Sequence, residues 1–142
     1  MKVFYDHQVF SLQKYGGISR YFVELIKQSL DDNELDYLLP ITYSNNYYLS
    51  SLRDLQDFGS NNKFLKFLQY GLNRLITNRN LKKSNYDVFH PTYYDKYFLK
   101  NLKKPFVLTI YDMTHEIFPT NFSFYDKTIE YKKILAQKAD II

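Results

Sequence analysis

Residues 14–25 read Lys14-Tyr15-Gly16-Gly17-Ile18-Ser19-Arg20-Tyr21-Phe22-Val23-Glu24-Leu25 and join a short apolar run to a helical pattern. Residues 2–6 are typical of a short buried strand, and the apolar residues of 18–30 recur at helical spacing. Glycines let the backbone approach a ligand closely, and the first turn of a helix presents free N–H groups to an anion. The stretch therefore predicts a loop that faces a phosphate-bearing substrate, although a tight turn at a helix start explains the glycine pair alone equally well.

Arg20 strengthens the functional interpretation of this loop. A cation in the first helical turn opposes the helix dipole, at a cost of a few tenths of a kcal/mol. An ion pair with Glu24 would also have the less favourable orientation for two residues four apart. A residue that lowers the stability of its own helix is a candidate for function.

The rest of the chain alternates strands with helices. We expect further strands over 37–42, 87–90 and 106–110 and the start of one at 139–142, with residues 7–17 as a loop. Helices are predicted over 62–76 and 123–138, and a short one over 49–58. Residues 106–110 look like a central parallel strand, and Pro40 favours an edge position for 37–42. This order predicts an α/β fold: a Rossmann-like open, mostly parallel sheet with helices on both faces.

Composition narrows the function classes. The chain has 142 residues, the length of one domain, and it has no cysteine, which excludes disulfides, thiolate metal sites and cysteine nucleophiles. Asp6 comes too early for a signal-peptide core, and no run of about 18 apolar residues could span a bilayer. We therefore expect a cytoplasmic protein.

The net charge of +4 is unevenly distributed. Residues 61–104 carry ten basic and two acidic side chains, whereas the segments on either side are slightly acidic. The predicted helix over 62–79 is the centre of this basic block. It has two interpretations: an amphipathic helix with its apolar face on the sheet and a solvated basic face, or a contact with anionic lipid on the inner face of a membrane. No nucleic-acid-binding signature accompanies the charge.

Polar side chains follow three of the predicted strands. They occupy residues 7–20, 90–97 and 111–116. The carboxyl ends of parallel strands meet at one edge of a sheet, and ligands bind there. We therefore expect these three segments to form one site.

Four motifs in this order and spacing resemble the N-terminal domain of glycosyltransferase family 4, whose members are retaining enzymes of the GT-B fold. The motifs are Tyr5-Asp6-His7, the 14–21 stretch, Asp87-Val88-Phe89-His90-Pro91-Thr92-Tyr93-Tyr94 and Leu108-Thr109-Ile110-Tyr111-Asp112-Met113-Thr114-His115-Glu116. The closing Gln137-Lys138-Ala139-Asp140-Ile141-Ile142 resembles the stretch before that family's domain crossover. The resemblance covers essentially the whole chain.

The resemblance implies that residues 1–142 are the acceptor-side domain of a two-domain enzyme. The second domain would bind a nucleotide-sugar donor, and the sugar would pass to a glycan or lipid-linked acceptor in the cleft between the domains. The family requires no metal, and we expect no cofactor. Since this chain lacks a donor-binding domain, we expect it to be a fragment that is inactive alone.

The same resemblance assigns roles to residues. Gly16 and Gly17 would approach the donor diphosphate, and Arg20 would line the same opening. Many members have a histidine where this chain has Tyr111, and a phenol cannot replace imidazole chemistry at neutral pH. Asp112 would then orient an acceptor hydroxyl, with Tyr111 as a hydrogen-bond donor. The structural alternative for Asp112 is a cap on the following turn.

The remaining candidates would bind the acceptor. Imidazoles, hydroxyls and aromatic faces suit a sugar, whose C–H faces pack on rings while its hydroxyls bond to polar tips. The candidates are His7, His90, Tyr93, His115 and Glu116. Each histidine has a structural alternative, at a strand end for His7 and His90 and in a solvated loop for His115. Their spacing does not support a metal site.

A non-enzymatic alternative remains open. The chain could be a standalone Rossmann-like module that binds a nucleotide, an anion or a partner chain. The residues encoded after Ile142 would separate the two interpretations, because a second α/β domain there favours the enzyme.

Overall fold

A computed structural model of the chain describes residues 1–52, 55 and 62–142. It is an α/β fold built on a three-stranded parallel sheet. The strands are β1 (Lys2–Tyr5), β2 (Asp36–Leu38) and β3 (Val88–His90), in the order β2-β1-β3. The helices are α1 (Gln8–Leu12), α2 (Gly17–Asp31), α3 (Lys63–Lys83), α4 (Thr114–Ile117) and α5 (Thr128–Ala136). Single 3₁₀ segments occupy Leu49–Ser51, Lys96–Lys100 and Pro119–Asn121.

The register of the sheet brings the ends of β1 and β3 together. Phe4 lies opposite Phe89, and Tyr5 lies opposite His90. On the other side of β1, Phe4 pairs with Leu38 of β2, which has the edge position that Pro40 led us to expect. Beyond β3, isolated parallel bridges join Phe89 to Phe106 and Val107 to Ile141. The residues after β1 and β3 therefore emerge side by side.

Two apolar clusters cover the two faces of the sheet. Successive side chains of a strand point to opposite faces, so Phe4 and Tyr5 belong to different clusters. Phe4 and Phe89 pack with Leu81 of α3 and Leu135 of α5. Tyr5 packs with Phe22 and Ile26 of α2 and with Val9 of α1. Helices thus lie on both faces, as the alternating pattern predicted.

Several predicted boundaries differ from the structure. Residues 7–17 contain α1 instead of a continuous loop, and 106–110 makes only bridge contacts at its start instead of a full strand. The strand predicted over 37–42 ends at Leu38, and the last helix is shorter than predicted. Of the helix predicted over 49–58, the structure describes one 3₁₀ turn at Leu49–Ser51, and 53, 54 and 56–58 lie outside the described residues.

The largest difference concerns the orientation of α3. Its buried positions are mostly polar and recur every fourth residue: Gln69, Asn73, Thr77 and Leu81. Asn73 accepts hydrogen bonds from the backbone N–H groups of Thr42 and Tyr43, at 3.2 and 3.3 Å. Its amide donates to Tyr43 O at 2.7 Å and to Ser11 Oγ at 3.1 Å. The apolar side of the helix is exposed, so the prediction that it packs on the sheet is wrong.

Within the described ranges, no helix combines the length and the apolar character needed to cross a bilayer.

The orientation of α3 is testable with two neighbouring substitutions. We expect Asn73→Ala to lower the free energy of unfolding by about 2 kcal/mol, because it removes four hydrogen bonds of a buried side chain. Leu72→Ala, one residue away on the exposed side, should change it by less than about 0.5 kcal/mol. Urea unfolding measures both. A larger loss for Leu72→Ala than for Asn73→Ala would contradict the orientation.

Candidate functional site

A buried carboxylate joins the ends of β1 and β3. Asp6 directly follows β1 and has no exposed surface. Its Oδ1 accepts hydrogen bonds from Thr92 N at 2.9 Å and Thr92 Oγ1 at 2.7 Å. Its Oδ2 accepts from Gln8 Nε2 at 2.7 Å and from the Tyr97 hydroxyl at 3.0 Å. Burial raises the pKa of Asp6, and the hydrogen bonds from Thr92 and Gln8 oppose that rise.

This network fills the position where ligands commonly bind in open parallel sheets. The chain runs from β1 to β2 on one side and returns to β3 on the other, so the sheet reverses its winding between β1 and β3. Gln8 adds a second link between the residues after β1 and those after β3, because its Oε1 accepts a hydrogen bond from Asp95 N at 2.8 Å. Space for a ligand therefore lies outside this network, at the rim formed by the following loops.

His7 and His90 belong to the core. His7 has no exposed surface, and its Nδ1 lies 3.1 Å from Ser11 Oγ. His90 is also buried, with Nε2 2.9 Å from Thr109 Oγ1. Burial lowers the pKa of His7 to about 3 and that of His90 to about 4. The structure thus places both imidazoles inside the fold, whereas acceptor binding requires an open surface.

The glycine loop starts α2 without needing an unusual backbone. Gly17 is the first residue of α2, and Gly16 precedes it with an extended backbone, φ 175°. A Cβ added at Gly16 would lie 2.1 Å from Gln13 Oε1, whereas one at Gly17 would meet nothing within 4 Å. The glycine pair therefore does not serve a left-handed turn. Gly16 gives the helix no side-chain cap, so N–H groups at the start of α2 lack a side-chain acceptor there.

Arg20 is exposed in the first turn of α2. Glu24 pairs with Lys27, with Lys27 Nζ 3.1 Å from Glu24 Oε1, and no ion pair of Arg20 occurs among the described residues. The guanidinium thus faces solvent beside the uncapped helix start. This is the placement that a role with an anionic ligand requires.

Tyr111 contacts both the segment after β3 and helix α2. Its backbone N–H donates to the Tyr94 hydroxyl at 3.0 Å, and its own hydroxyl lies 3.5 Å from Thr92 O. Its ring centroid is 6.2 Å from that of Tyr21 and 6.1 Å from that of Phe22, both in α2. Burial raises the pKa of Tyr111, so the phenol stays protonated. Tyr111 therefore joins the 92–94 segment to the second turn of α2, and Val9 N, which donates to Thr92 Oγ1 at 3.1 Å, joins the 92–94 segment to the residues after β1.

Asp112 is exposed beside Tyr111. Its Oδ1 accepts from Thr114 N at 2.9 Å, and hydrogen bonds from Thr114 lower its pKa. This is the capping arrangement that the sequence left open. The lowered pKa keeps this exposed carboxylate ionised at neutral pH. Capping and contact with a ligand are therefore compatible.

Lys132 of α5 anchors the Asp112 segment and was not expected from the sequence. It is buried, and its Nζ donates to Asp112 O at 2.8 Å and lies 3.1 Å from Glu116 Oε2. Its ammonium also lies 5.1 Å from the ring centroid of Tyr94. Glu116 is thus a structural partner of Lys132. A lysine in a helical pattern gives no signal that it is buried, so sequence reasoning could not have found it.

His115 lies in α4 and Tyr93 lies in the segment after β3, and both are half-buried. The His115 ring stacks on Phe122 with centroids 3.7 Å apart, and its Nε2 is 3.4 Å from Asp126 Oδ2. Tyr93 is half-buried, and burial and the charges of Asp112 and Asp126 raise its pKa.

A pocket of about 180 Å³ beside Tyr93 is lined by Tyr93, Tyr94, Asp95, Lys127, Thr128 and Tyr131. Its ring faces and polar groups are of the kind that was predicted to bind an acceptor. Over residues 1–52, 55 and 62–142, no group of three potential ligands could hold a metal ion.

The buried histidines predict a pH dependence of stability. Their folded pKa values lie below the ordinary 6.5, so the unfolded chain binds protons that the folded chain does not. The free energy of unfolding should fall as pH decreases from 6.5 towards 4, by up to about 1.4 kcal/mol per pH unit for each histidine. His7→Gln should remove about half of this slope in urea unfolding.

Phe10→Leu is the control for that experiment. Phe10 is buried close by in sequence and does not titrate, so its substitution should lower stability without changing the slope. An unchanged slope in His7→Gln would show that His7 is not buried in its neutral form.

Comparisons with known proteins add no assignment to this site. No family model matches the chain. No curated protein and no solved structure gives a significant match. The functional conclusion therefore depends on the chain's own residues.

Proposed function

We propose that the chain is the acceptor-side domain of a retaining glycosyltransferase of family 4, with a Rossmann-like fold. A donor-binding domain would close over the rim and bring a nucleotide sugar. The observation that supports this proposal best is that the residues after β1 contact the segment after β3 through Val9 and Thr92, and that this segment contacts Tyr111 through Tyr94. It is the arrangement that a cleft along the carboxyl edge of a parallel sheet needs.

The start of α2 would serve the donor. Breaking the bond between sugar and diphosphate builds negative charge on the leaving phosphate oxygen. Uncapped N–H groups at Gly17 and the exposed guanidinium of Arg20 are suited to stabilise that charge. The absence of a steric barrier at Gly17 is consistent with close approach of a phosphate.

The Asp112 segment would serve the acceptor. An ionised, exposed carboxylate can accept a hydrogen bond from an acceptor hydroxyl and orient it towards the donor sugar. The protonated Tyr111 phenol contributes packing and one hydrogen bond to Thr92 O. Tyr93 and Tyr131, which are half-buried at the pocket, offer ring faces for the acceptor glycan.

A non-catalytic module that binds a nucleotide or anion is the second candidate. The uncapped start of α2 and Arg20 favour it, because they belong to this chain alone and need no second domain. Both candidates predict anion binding at α2, but the enzyme alone predicts a role for Asp112.

Binding at α2 is tested with the chain itself. Titration with uridine, guanosine or adenosine diphosphate should shift the amide resonances of Gly17, Ser19 and Arg20 for at least one nucleotide. Arg20→Ala should weaken that binding by about tenfold, the loss of one charge-assisted contact. Lys27→Ala removes a cation from the same helix two turns on and should leave the affinity unchanged. If none of the nucleotides shifts these amides, the non-catalytic candidate fails.

Catalysis is tested in the polypeptide that joins this chain to a donor-binding domain. We expect Asp112→Asn to lower kcat/KM by at least about 10²-fold. The control Glu130→Gln removes an exposed carboxylate of α5 and should keep full activity. Residues 1–142 alone should not turn over a nucleotide sugar. An Asp112→Asn enzyme with unchanged kinetics, or turnover by the isolated chain, would refute the proposed role.

A further inference from the structure

Two tyrosine rings lie side by side on the surface, next to the residues that start α2. Tyr15 is 61% exposed and Tyr47 is 60% exposed. Their ring centroids are 5.3 Å apart, and the ring planes are tilted by 35°. A single exposed aromatic residue is ordinary, but a pair of open rings in contact with each other indicates an interaction surface.

Polar contacts of the backbone and of a buried amide hold the two rings together. Asn46 is buried, and its Nδ2 donates to Gln13 O at 2.7 Å. Its Oδ1 accepts from Leu49 N at 3.0 Å, which fixes the turn that carries Tyr47. Tyr47 N donates to Lys14 O at 2.9 Å. The rings are therefore positioned before any ligand arrives, which lowers the entropy cost of binding.

A polar pocket of about 190 Å³ adjoins one of the rings. It is lined by Ser44, Asn45, Asn46, Tyr47, Ser50 and Leu55. Asn45 is half-buried, and its amide carries two donors and one acceptor. Ser50 is exposed and donates to Tyr47 O at 2.6 Å, so its hydroxyl oxygen can still accept. The pocket has space for several water molecules, which the hydroxyl groups of a ligand could replace.

The chemistry of this surface matches a neutral, hydroxyl-rich ligand. No charged residue occurs in the sequence of residues 42–52. An anion would therefore find no cation in the pocket, and an apolar ligand would leave the amide and hydroxyl groups without hydrogen bonds. The Lys14 ammonium lies 5.6 Å from the Tyr15 ring centroid, on an exposed side chain that can move aside. A sugar has the two features that the surface offers to match, namely apolar C–H faces and hydroxyl groups.

We propose that the ring pair and the adjoining pocket form a binding site for a neutral oligosaccharide. The C–H face of one sugar unit packs on Tyr15 and Tyr47, and its hydroxyl groups bond to Asn45 and Ser50. This site shares no residue with the pocket beside Tyr93, so it is a second place where the chain contacts a glycan. It needs no donor-binding domain and no catalysis, so its test is separate from that of the proposed enzymatic role.

An NMR titration of the full chain tests the proposal. The probes are cellotetraose, maltotetraose and chitotetraose, which differ in linkage and in N-acetylation. At least one of them should shift the amide resonances of Tyr15, Asn45, Tyr47 and Ser50 with a saturable, millimolar dependence. If none of the three shifts these resonances, the proposal is overturned.

Substitutions separate the rings from the rest of the surface. Tyr15→Ala/Tyr47→Ala should weaken binding at least about fivefold, because it removes the faces on which the sugar packs. Tyr47→Phe keeps the ring and should bind nearly as the wild type does. Both positions are exposed, so circular dichroism should be unchanged. The matched control is Phe124→Ala/Tyr125→Ala, which removes another exposed ring pair, with centroids 5.9 Å apart, and should leave the affinity unchanged.

The pocket is tested by Asn45→Ala, which keeps both rings and should also weaken binding. Affinity that neither Asn45→Ala nor Tyr15→Ala/Tyr47→Ala changes would overturn the proposal. An equal loss in the Phe124→Ala/Tyr125→Ala control would do so as well, since the sugar would then adhere to any exposed ring. If uridine diphosphate shifts the Tyr47 and Asn45 amides while no tetrasaccharide does, the surface binds a nucleotide base and the proposal is wrong.

Discussion

The hydrogen bonds of the buried Asp6 carboxylate are the constraint on which the rest of the structure depends. Asp6 ends the first strand, and its partners Thr92 and Tyr97 follow the third, so one side chain joins segments that are far apart in sequence. A buried carboxylate is costly unless donors surround it, and here Gln8, Thr92 and Tyr97 supply them. Removing one of these donors would leave the buried carboxyl group with fewer hydrogen bonds and lower the stability of the fold.

The rim of the sheet is built outwards from this network. Thr92 belongs to the segment that follows β3. In the same segment, the Tyr94 hydroxyl accepts a hydrogen bond from the backbone N–H of Tyr111, and the Tyr111 ring contacts α2. Lys132 provides a second anchor by holding the Asp112 segment from the side of α5. The candidate site is therefore a surface whose groups are oriented by buried contacts. Its members Arg20 and Asp112 are exposed and accessible to ligands. The contacts that hold the surrounding segments in place are made by other residues, such as Lys132.

The elements that the sequence predicted well are those governed by local pattern. β1, β3 and α2 lie close to their predicted positions, because these follow from periodicity and from the geometry of parallel sheets. The face of α3 could not be predicted in this way. Apolar periodicity says that a helix has two faces, but the hydrogen bonds of Asn73 decide which one is buried. The burial of His7, His90 and Lys132 could not be predicted for a related reason, since burial of a polar side chain depends on partners distant in sequence.

Native-state hydrogen exchange of the Asp6→Asn variant tests the central claim most directly. An amide in place of the carboxylate loses an acceptor at Oδ2 and keeps the volume of the side chain. If Asp6 holds the rim, the amides of Thr92, Val9 and Tyr111 should exchange faster together, while those in the middle of α3 change no more than the global stability does. If the Thr92 and Tyr111 amides keep their wild-type protection relative to α3, the rim does not depend on Asp6 and the account is contradicted.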